Sequence, residues 1–520
     1  GSNPVWGVTP GFLGTGALLL SGASSLEEVE MVNGFEVTQG IATSFTATTT
    51  AASATVNLTS GTTAGLAVGQ QINDNPNIPV GSTIASIVSA TQFTLNSATG
   101  VLAGTGVVTN VAAGGYRQVN VADNANTATD FATISGVITG SGTLAKEGAG
   151  ILRLTGLNTY TGQTAVRAGT LTVQSLGNSA NPGLGTNVGS STGANLDAGG
   201  ITLGNGGTGG AILQYVGPGE VSDRMIRLNS TTGTNQIHAD GTGPLILSNV
   251  NNTLSLGNKV LALRGSNTQG NMITSQLSDN GGTLGITVDG GATWILTNPL
   301  NNYTGVTAVN AGALGIGDDA ALGSGAGNLA LNNGSVFAFG GDRAVPNPLS
   351  LANNTTVAFI GDHSLAFPNT FSLLASANNV GTTNNIASGE TLTLGPVTAN
   401  AMTAARTWTV NGAGDTIVTG DITTSTAFNL NLTYSGTGSL TLAGTASNLN
   451  AGTLTVANGT LKLGANEVIP HGFTGPSSVT AAPVAASTTI TVADTTGLVV
   501  GQPFTGLGVT AGATIASITD

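Results

Sequence analysis

NTYTGQTAVRAGTLTV, residues 158–173, has a second copy in the same chain: NNYTGVTAVNAGAL at 301–314 repeats the first fourteen positions without a gap, ten of them identical. A reduced copy, NAGTLTVANGTLKLG, occupies 450–464. Internal similarity of this kind decides the architecture. Within the unit Val166, Leu171 and Val173 alternate with small polar residues, the period of a strand with one apolar face. Leu144, Ile151, Leu152 and Leu154 supply further short strands upstream. Between them stand Gly148-Ala149-Gly150, Asn158 to Gly162 and Ala168-Gly169. Gly and Asn tolerate positive φ, so these clusters belong at corners. Short strands about eight to twelve residues apart predict an all-β fold. One such unit cannot bury its apolar face alone, so copies must stack into a β-solenoid.

The run GAGILRLTGLNTYTGQTAVRAGTLTV, 148–173, resembles the autotransporter-associated β-strand repeat of large secreted bacterial surface proteins. The resemblance covers 140–173 and 281–316 and extends in part to 436–464. It implies a right-handed parallel β-helix, exported and displayed at the cell surface, and it specifies no chemistry. The expected core positions are Leu152, Leu154, Val166, Leu171 and Val173, with Leu314 and Leu454 as equivalents.

Composition agrees with tightly stacked coils. Charged residues make up 7% of the 520, against roughly 25% in ordinary soluble domains, while glycine contributes 80. The 40% hydrophobic residues recur regularly, which argues against disorder. A net charge of −13 with no basic cluster excludes nucleic acid as a partner. No cysteine is present, so disulfides and thiolate metal sites are excluded. No apolar run reaches the roughly 18 residues of a membrane span. The chain starts Gly1-Ser2 without a basic region before an apolar one, so a signal peptide is expected to be absent or already removed.

Four segments are expected. Residues 1–44 hold one or two strands, and Ser24-Ser25-Leu26-Glu27-Glu28-Val29 offers a short helix start, with Ser three residues before Glu. Residues 45–110 form a separate β module, where Asn75-Pro76-Asn77-Ile78-Pro79 argues for a turn. Residues 111–478 are the solenoid body, expected to hold some sixteen coils over about 75 Å. Residues 479–520 repeat the 45–110 module: VGQPFTGLGVTAGATIASI answers VGQQINDNPNIPVGSTIASI.

Candidate chemistry is sparse. Carboxylate or acid–base clusters would be needed for a polysaccharide-cleaving enzyme. The local pairs are Asp223-Arg224 with Arg227, His238-Ala239-Asp240, Asp342-Arg343 and Asp362-His363, and none recurs in the repeats. Calcium-binding solenoids carry Gly-Gly-x-Gly-x-Asp; here Gly199-Gly200 and Gly206-Gly207 lack the Asp, and Asp318-Asp319 stands alone. No catalytic residue, cofactor or metal is expected. Tyr160 and Tyr303 occupy matching corner positions where sugar stacking is conceivable.

The leading functional expectation is a structural extracellular solenoid that assembles with copies of itself. The 479–520 module lacks the final strands that VSATQFTLNSATGVLAGTGVVTNV gives its counterpart, and the opening GSNPVWGVTPGFLGTGALLLS would supply them. Donation of residues 1 to about 22 into the next subunit would leave no sheet edge free and would build a head-to-tail filament. The expected interface comprises Val5, Trp6, Val8, Phe12, Leu13, Ala17, Leu18, Leu19 and Leu20 on one side. Ile490, Val492, Phe504, Ile515 and Ile518 lie on the other. The alternative to donation is that the chain is one period of a longer tandem polypeptide, or an arbitrary truncation. The alternative functions are an adhesin passenger that binds glycans or surfaces, and a polysaccharide-degrading β-helix enzyme.

Overall fold

The computed structural model describes residues 18–20, 28–73, 75–111, 114–123, 130–178, 186–189, 200–207, 210–253, 256–352, 354–374, 378–399, 402–424, 428–445, 447, 449, 452–464, 481–483, 490–492 and 515–517. These residues form strands and turns, and no helix. Ser24 to Glu27, where a short helix was expected to start, lie outside the described residues. Glu28 and Val29, which follow them, lie in the strand Glu28–Met31 and pair with Phe131 and Ala132.

The body is a parallel β-helix. Its longest sheet, the spine, takes one strand from each coil, fourteen in all, from Glu28–Met31 to Ile422–Thr423. From the fifth spine strand on, the next side is an eleven-stranded flank sheet, Glu220–Ser222 to Leu454–Val456; in the first two coils Phe35–Val37 and Ile138–Gly140 pair there. The third side comes between flank and spine. It is a seven-stranded sheet in the early coils, Leu18–Leu20 to Val250–Asn251, and a six-stranded sheet in the late ones, Arg343–Ala344 to Thr460–Leu463. Between these two sheets the third side is made of loops that hold Leu277, Tyr303 and Leu322 inward. Sixteen coils were expected over 111–478, and thirteen of the fourteen spine strands fall there; the whole spine rises about 60 Å at ~4.8 Å per strand. Two features account for the shortfall. Val173 pairs with Tyr215, 42 residues on, and elsewhere coil length reaches 28 residues where Val380 sits opposite Trp408.

Inward positions of the spine line up from Ala132 through Leu152, Leu171, Leu213 and Leu263 to Leu373, and all are buried. One continuous apolar core results, each side chain capped above and below by its counterparts. Leu152, Leu154, Val166, Leu171, Val173 and Leu314 are in it, as expected. Leu454 only packs against its edge. By the corner glycines Gly169, Gly312 and Gly459, which share positive φ, Leu461 answers Leu171 and Leu314, and it too is only partly buried, because both leucines lie in the last described coil of the rod.

The repeat is not tied to one side of the helix. In the first copy its two strands, Thr164–Val166 and Gly169–Val173, lie on the third side and the spine. In the second, Thr307–Val309 and Ala313–Ile316 lie on spine and flank. In the third, Leu454–Val456 and Thr460–Leu463 lie on flank and late third side. Each copy has moved on by one side, so the unit encodes strand, corner, strand, and leaves the choice of corner open.

The motif's polar residues bind adjacent coils. Asn158 Oδ1 accepts from the Ile138 N–H (2.8 Å) and its Nδ2 donates to the Asn187 carbonyl (2.7 Å). Asn301 does the same, accepting from Leu277 N–H (2.7 Å) and donating to the Ala321 carbonyl (2.7 Å). Tyr160 and Tyr303 are fully buried, with hydroxyls 2.5 and 2.7 Å from Thr164 and Thr307 Oγ1. They fill the coil interior and present no ring to a sugar.

At the Gly312 corner φ is +72°, and a Cβ would strike the Ala292 carbonyl of the coil below. Gly312→Ala combines left-handed strain with a backbone clash, for an expected cost of about 2–4 kcal/mol. A thermal melt of the variant checks this; an unchanged midpoint would show that the corner can relax.

Residues 43–111 interrupt the helix after its first coil. Six antiparallel strands, from Thr43–Thr49 to Gly104–Val111, form a sheet whose edges meet through the Gln71–Thr83 bridge, so it closes into a small barrel. Phe45 and Phe93 pack edge-to-face at 5.7 Å in its own core. The Asn75–Pro79 stretch is a turn. Arg117, at 2% exposure, ties barrel to helix: its guanidinium donates to the Leu66 carbonyl (2.8 Å) and the Thr38 carbonyl (3.1 Å). In the 479–520 segment, Ala481–Pro483 and Ile490–Val492 pair as an antiparallel hairpin with Ala481 opposite Val492. That register repeats the pairing of Ala47 with Leu58 in the barrel.

Candidate functional surface

The outward face of the spine carries most of the polar side chains that could meet a ligand. Strand alternation places Gln214, His238, Arg264 and Asp289 in one column over four coils, because their inward neighbours Leu213, Ile237, Leu263 and Val288 form the core. Each is committed to a neighbour. Gln214 Nε2 donates to Asp240 (2.8 Å), which also accepts from Ser266 Oγ (3.0 Å). Arg264 pairs with Asp289 at 2.5 Å. His238 Nε2 lies 3.0 Å from Gln236 Oε1, and burial pushes its pKa below the usual histidine range, with the Arg264 charge acting in the same sense. The His238–Asp240 candidate is thus part of a ladder between coils, with both groups occupied.

The other candidates disperse. Arg224 is buried and donates to the Val188 and Gly189 carbonyls (3.1 and 2.8 Å), anchoring the 174–200 excursion. Glu220 anchors the same excursion by accepting from Leu176 and Gly177 N–H (2.7 and 2.6 Å). Arg227 is buried on the third side, its Nε 2.9 Å from Met225 Sδ. The structure does bring Asp342 and Asp362-His363 together from successive coils: His363 Nδ1 is 3.9 Å from Asp342 and Nε2 3.8 Å from Asp362. Both carboxylates are largely exposed, at 69% and 85%. Asp342 also accepts from Ser364 N–H (3.0 Å), which makes this a solvated turn. Asp318 and Asp319 accept backbone N–H bonds from Ala320 and Ala344.

Among the described residues no three His, Asp or Glu side chains are grouped to hold a metal. Chelation with EDTA is expected to leave the melting temperature unchanged; a large fall would reveal a structural ion.

Of the expected interface residues, Val5, Trp6, Val8, Phe12, Leu13, Ala17, Phe504 and Ile518 lie outside the described residues. Leu18, Leu19 and Leu20 form a strand that pairs in parallel with Val119–Val121 of their own chain, and Leu18 is buried. Ile490 and Val492 are in the C-terminal hairpin, and Ile515 is half-buried.

One feature of the spine was missed in the sequence. A shallow depression of about 340 Å³ runs across four coils, lined by Thr234, Asn258, Val260, Gly285, Thr287 and Val306 among others. Gly285 is among them, its outward place lying between Val260 and Val306. A Cβ there would stand 3.3 Å from the Val306 carbonyl and 3.6 Å from Val260 Cγ2, so even a methyl group would need the neighbouring backbone to give by a few tenths of an ångström. Glycine inside a strand costs about 0.5–1 kcal/mol relative to alanine, and such a glycine often marks the close approach of a ligand. The available signal was Leu284-Gly285-Ile286-Thr287-Val288, an alternating strand with glycine at an outward position.

Comparison with known proteins gives the setting. Residues 144–173, 286–316 and 432–463 match the passenger-associated-transport-repeat family. Each match spans two successive coil layers at one corner, the strand–corner–strand unit described above. The adhesin BmaC autotransporter of Brucella suis biovar 1 is 29% identical over 359 residues, which is 66% of this chain and 10% of that protein. The chain therefore spans about a tenth of the curated relative it matches. No solved structure matches it.

Proposed function

We propose, from the premise that this chain is a secreted, cell-surface β-helix carrying autotransporter-associated passenger repeats, that it works without catalysis, as an adhesive rod whose spine face meets the ligand. The observation that carries this reading is the depression across four coils of the spine, where Gly285 leaves the backbone of a central strand bare between Val260 and Val306. The depression is lined by Thr234, Asn258, Thr283 and Thr287 together with Val260, Val306 and Lys259, and by no carboxylate, which suits a glycan with both polar and apolar faces. The relative's own description as an adhesin supports binding over turnover. The test is binding of the folded protein to a glycan array and to immobilised extracellular matrix. Thr287→Arg, at an outward position on the same strand, should abolish binding with melting intact. Binding that survives Thr287→Arg, or sugar release from pectin or alginate, would refute the proposal.

A second reading, end-to-end association of copies, is favoured by the last described coil, where Val456 and Leu463 are 44% and 50% exposed. An incompletely covered coil is a template for another chain. Because Leu18–Leu20 already pair within their own chain, the segment available for donation is residues 1–17. Light scattering and electron micrographs of the full chain should show rods joined in line, and a variant lacking residues 1–17 should remain monomeric. Filaments formed equally well by that variant would rule donation out.

A further inference from the structure

The chain contains six Asn-Gly pairs: Asn33-Gly34, Asn205-Gly206, Asn280-Gly281, Asn333-Gly334, Asn411-Gly412 and Asn458-Gly459. We infer that Asn333 and Asn458 are self-modifying positions, at which the fold poises the side-chain amide for attack by the following main-chain nitrogen. At both, the glycine N–H donates to the Oδ1 of the asparagine just before it, at 2.9 Å. That places the nitrogen within near-attack distance of Cγ, the carbon bearing the oxygen. Both asparagines are exposed, and both glycines hold the positive φ of a coil corner, +86° and +73°.

The reaction needs only water. The glycine nitrogen loses its proton to solvent base and bonds to Cγ; the Cγ–Nδ2 bond breaks and ammonia leaves, giving a five-membered imide. Water then opens either imide carbonyl, to aspartate or to isoaspartate, whose main chain is longer by one methylene. The neutral corner becomes a carboxylate in both cases.

The same fold shows that the first product fits. Asp289-Gly290 is the carboxylate form of this corner, with the Gly290 N–H on Asp289 Oδ1 at 2.8 Å and φ of +82°. The second product does not fit: the lengthened chain would displace Ser335 N–H from the Gly312 carbonyl (2.9 Å) and Thr460 N–H from the Gly438 carbonyl (3.2 Å). These bonds hold one coil to the next.

Two other pairs serve as internal controls. Asn205 Oδ1 accepts from Gly207 N–H (2.9 Å), one residue further on, which turns the amide away from Gly206. Asn411 Oδ1 is enclosed and shielded from water. The folded protein is incubated at mildly alkaline pH and digested under acid conditions, and peptides are resolved by mass spectrometry with isoaspartate separation. Asn333 and Asn458 should gain one mass unit at least about tenfold faster than Asn205 and Asn411, as proximity effects of this kind allow. In urea the four rates should converge. Asn333→Gln should remove the signal from its peptide with the melt unchanged. Equal rates in the folded chain, or the same ranking in urea, would overturn the inference.

Discussion

Leu171→Asp is expected to collapse the region of the rod around the first repeat. Leu171 is fully buried on the spine, directly between Leu152 of the coil below and Leu213 of the coil above. A carboxylate there has apolar side chains on both sides along the axis and no cation in the core column. Loss of the leucine alone costs about 2–5 kcal/mol, and an uncompensated buried charge costs several more. Because each coil contacts only its neighbours, the damage should start locally. Limited proteolysis should cut near 150–215 well below the wild-type melting temperature. A wild-type melt would place Leu171 outside the core and refute the spine register.

The second large effect is alkaline. Burial pushes the Tyr160 phenol up to about 12, against a small opposing pull from the Thr164 hydroxyl and the Arg224 charge, and pushes Tyr303 up further. In the unfolded chain both ionise near pH 10. A group whose folded pKa is raised contributes stability that is fully present below its unfolded pKa and is lost as pH climbs to its folded one. The loss therefore begins near pH 10 and is complete for Tyr160 near pH 12. Two pKa units correspond to roughly 3 kcal/mol for Tyr160 alone, and Tyr303 adds to it. Melting temperature should fall steeply from pH 10. The double variant Tyr160→Phe, Tyr303→Phe should begin lower, having lost two hydroxyl bonds of about 1 kcal/mol each, and show a flatter alkaline limb. Identical slopes for wild type and variant would mean that other groups drive the transition.

Much of the fold was legible because its rules are local. Alternation at Leu152–Leu154 and Leu171–Val173 gave strands, and glycine at 169 and 312 gave corners. What was not legible depends on distance. Nothing in NTYTG says which side of the helix it will occupy, and the three copies occupy three different corners because excursions and coil lengths between them shift the phase. Ser24 to Val29 carries a helix signal, but the partner that draws Glu28 and Val29 into a strand lies about a hundred residues away. Tyr160 and Tyr303 were correctly paired, yet the orientation of a ring at a corner is set by the coils above and below it. The ladder from Gln214 to Asp289 was visible as separate pairs; only the register of four coils makes it one column. Gly285 was one glycine among 80, and its meaning comes from the neighbours that the coil register sets beside it, Val260 and Val306.

The spine has one more property, which is mechanical. Its inter-strand hydrogen bonds run from coil to coil, along the length of the rod. A pull applied end to end loads these bonds in series and peels them, because the strands lie across the force. Most coils release 19 to 28 residues on opening, judged from Leu152 against Leu171 and Val380 against Trp408. At ~3.4 Å per residue that is about 65–95 Å of slack for the loss of one rung of ~4.8 Å. A tethered rod of this kind yields stepwise under drag, lengthening many-fold before any covalent bond is strained, and the intact coils on either side serve as templates for the peeled one to rewind.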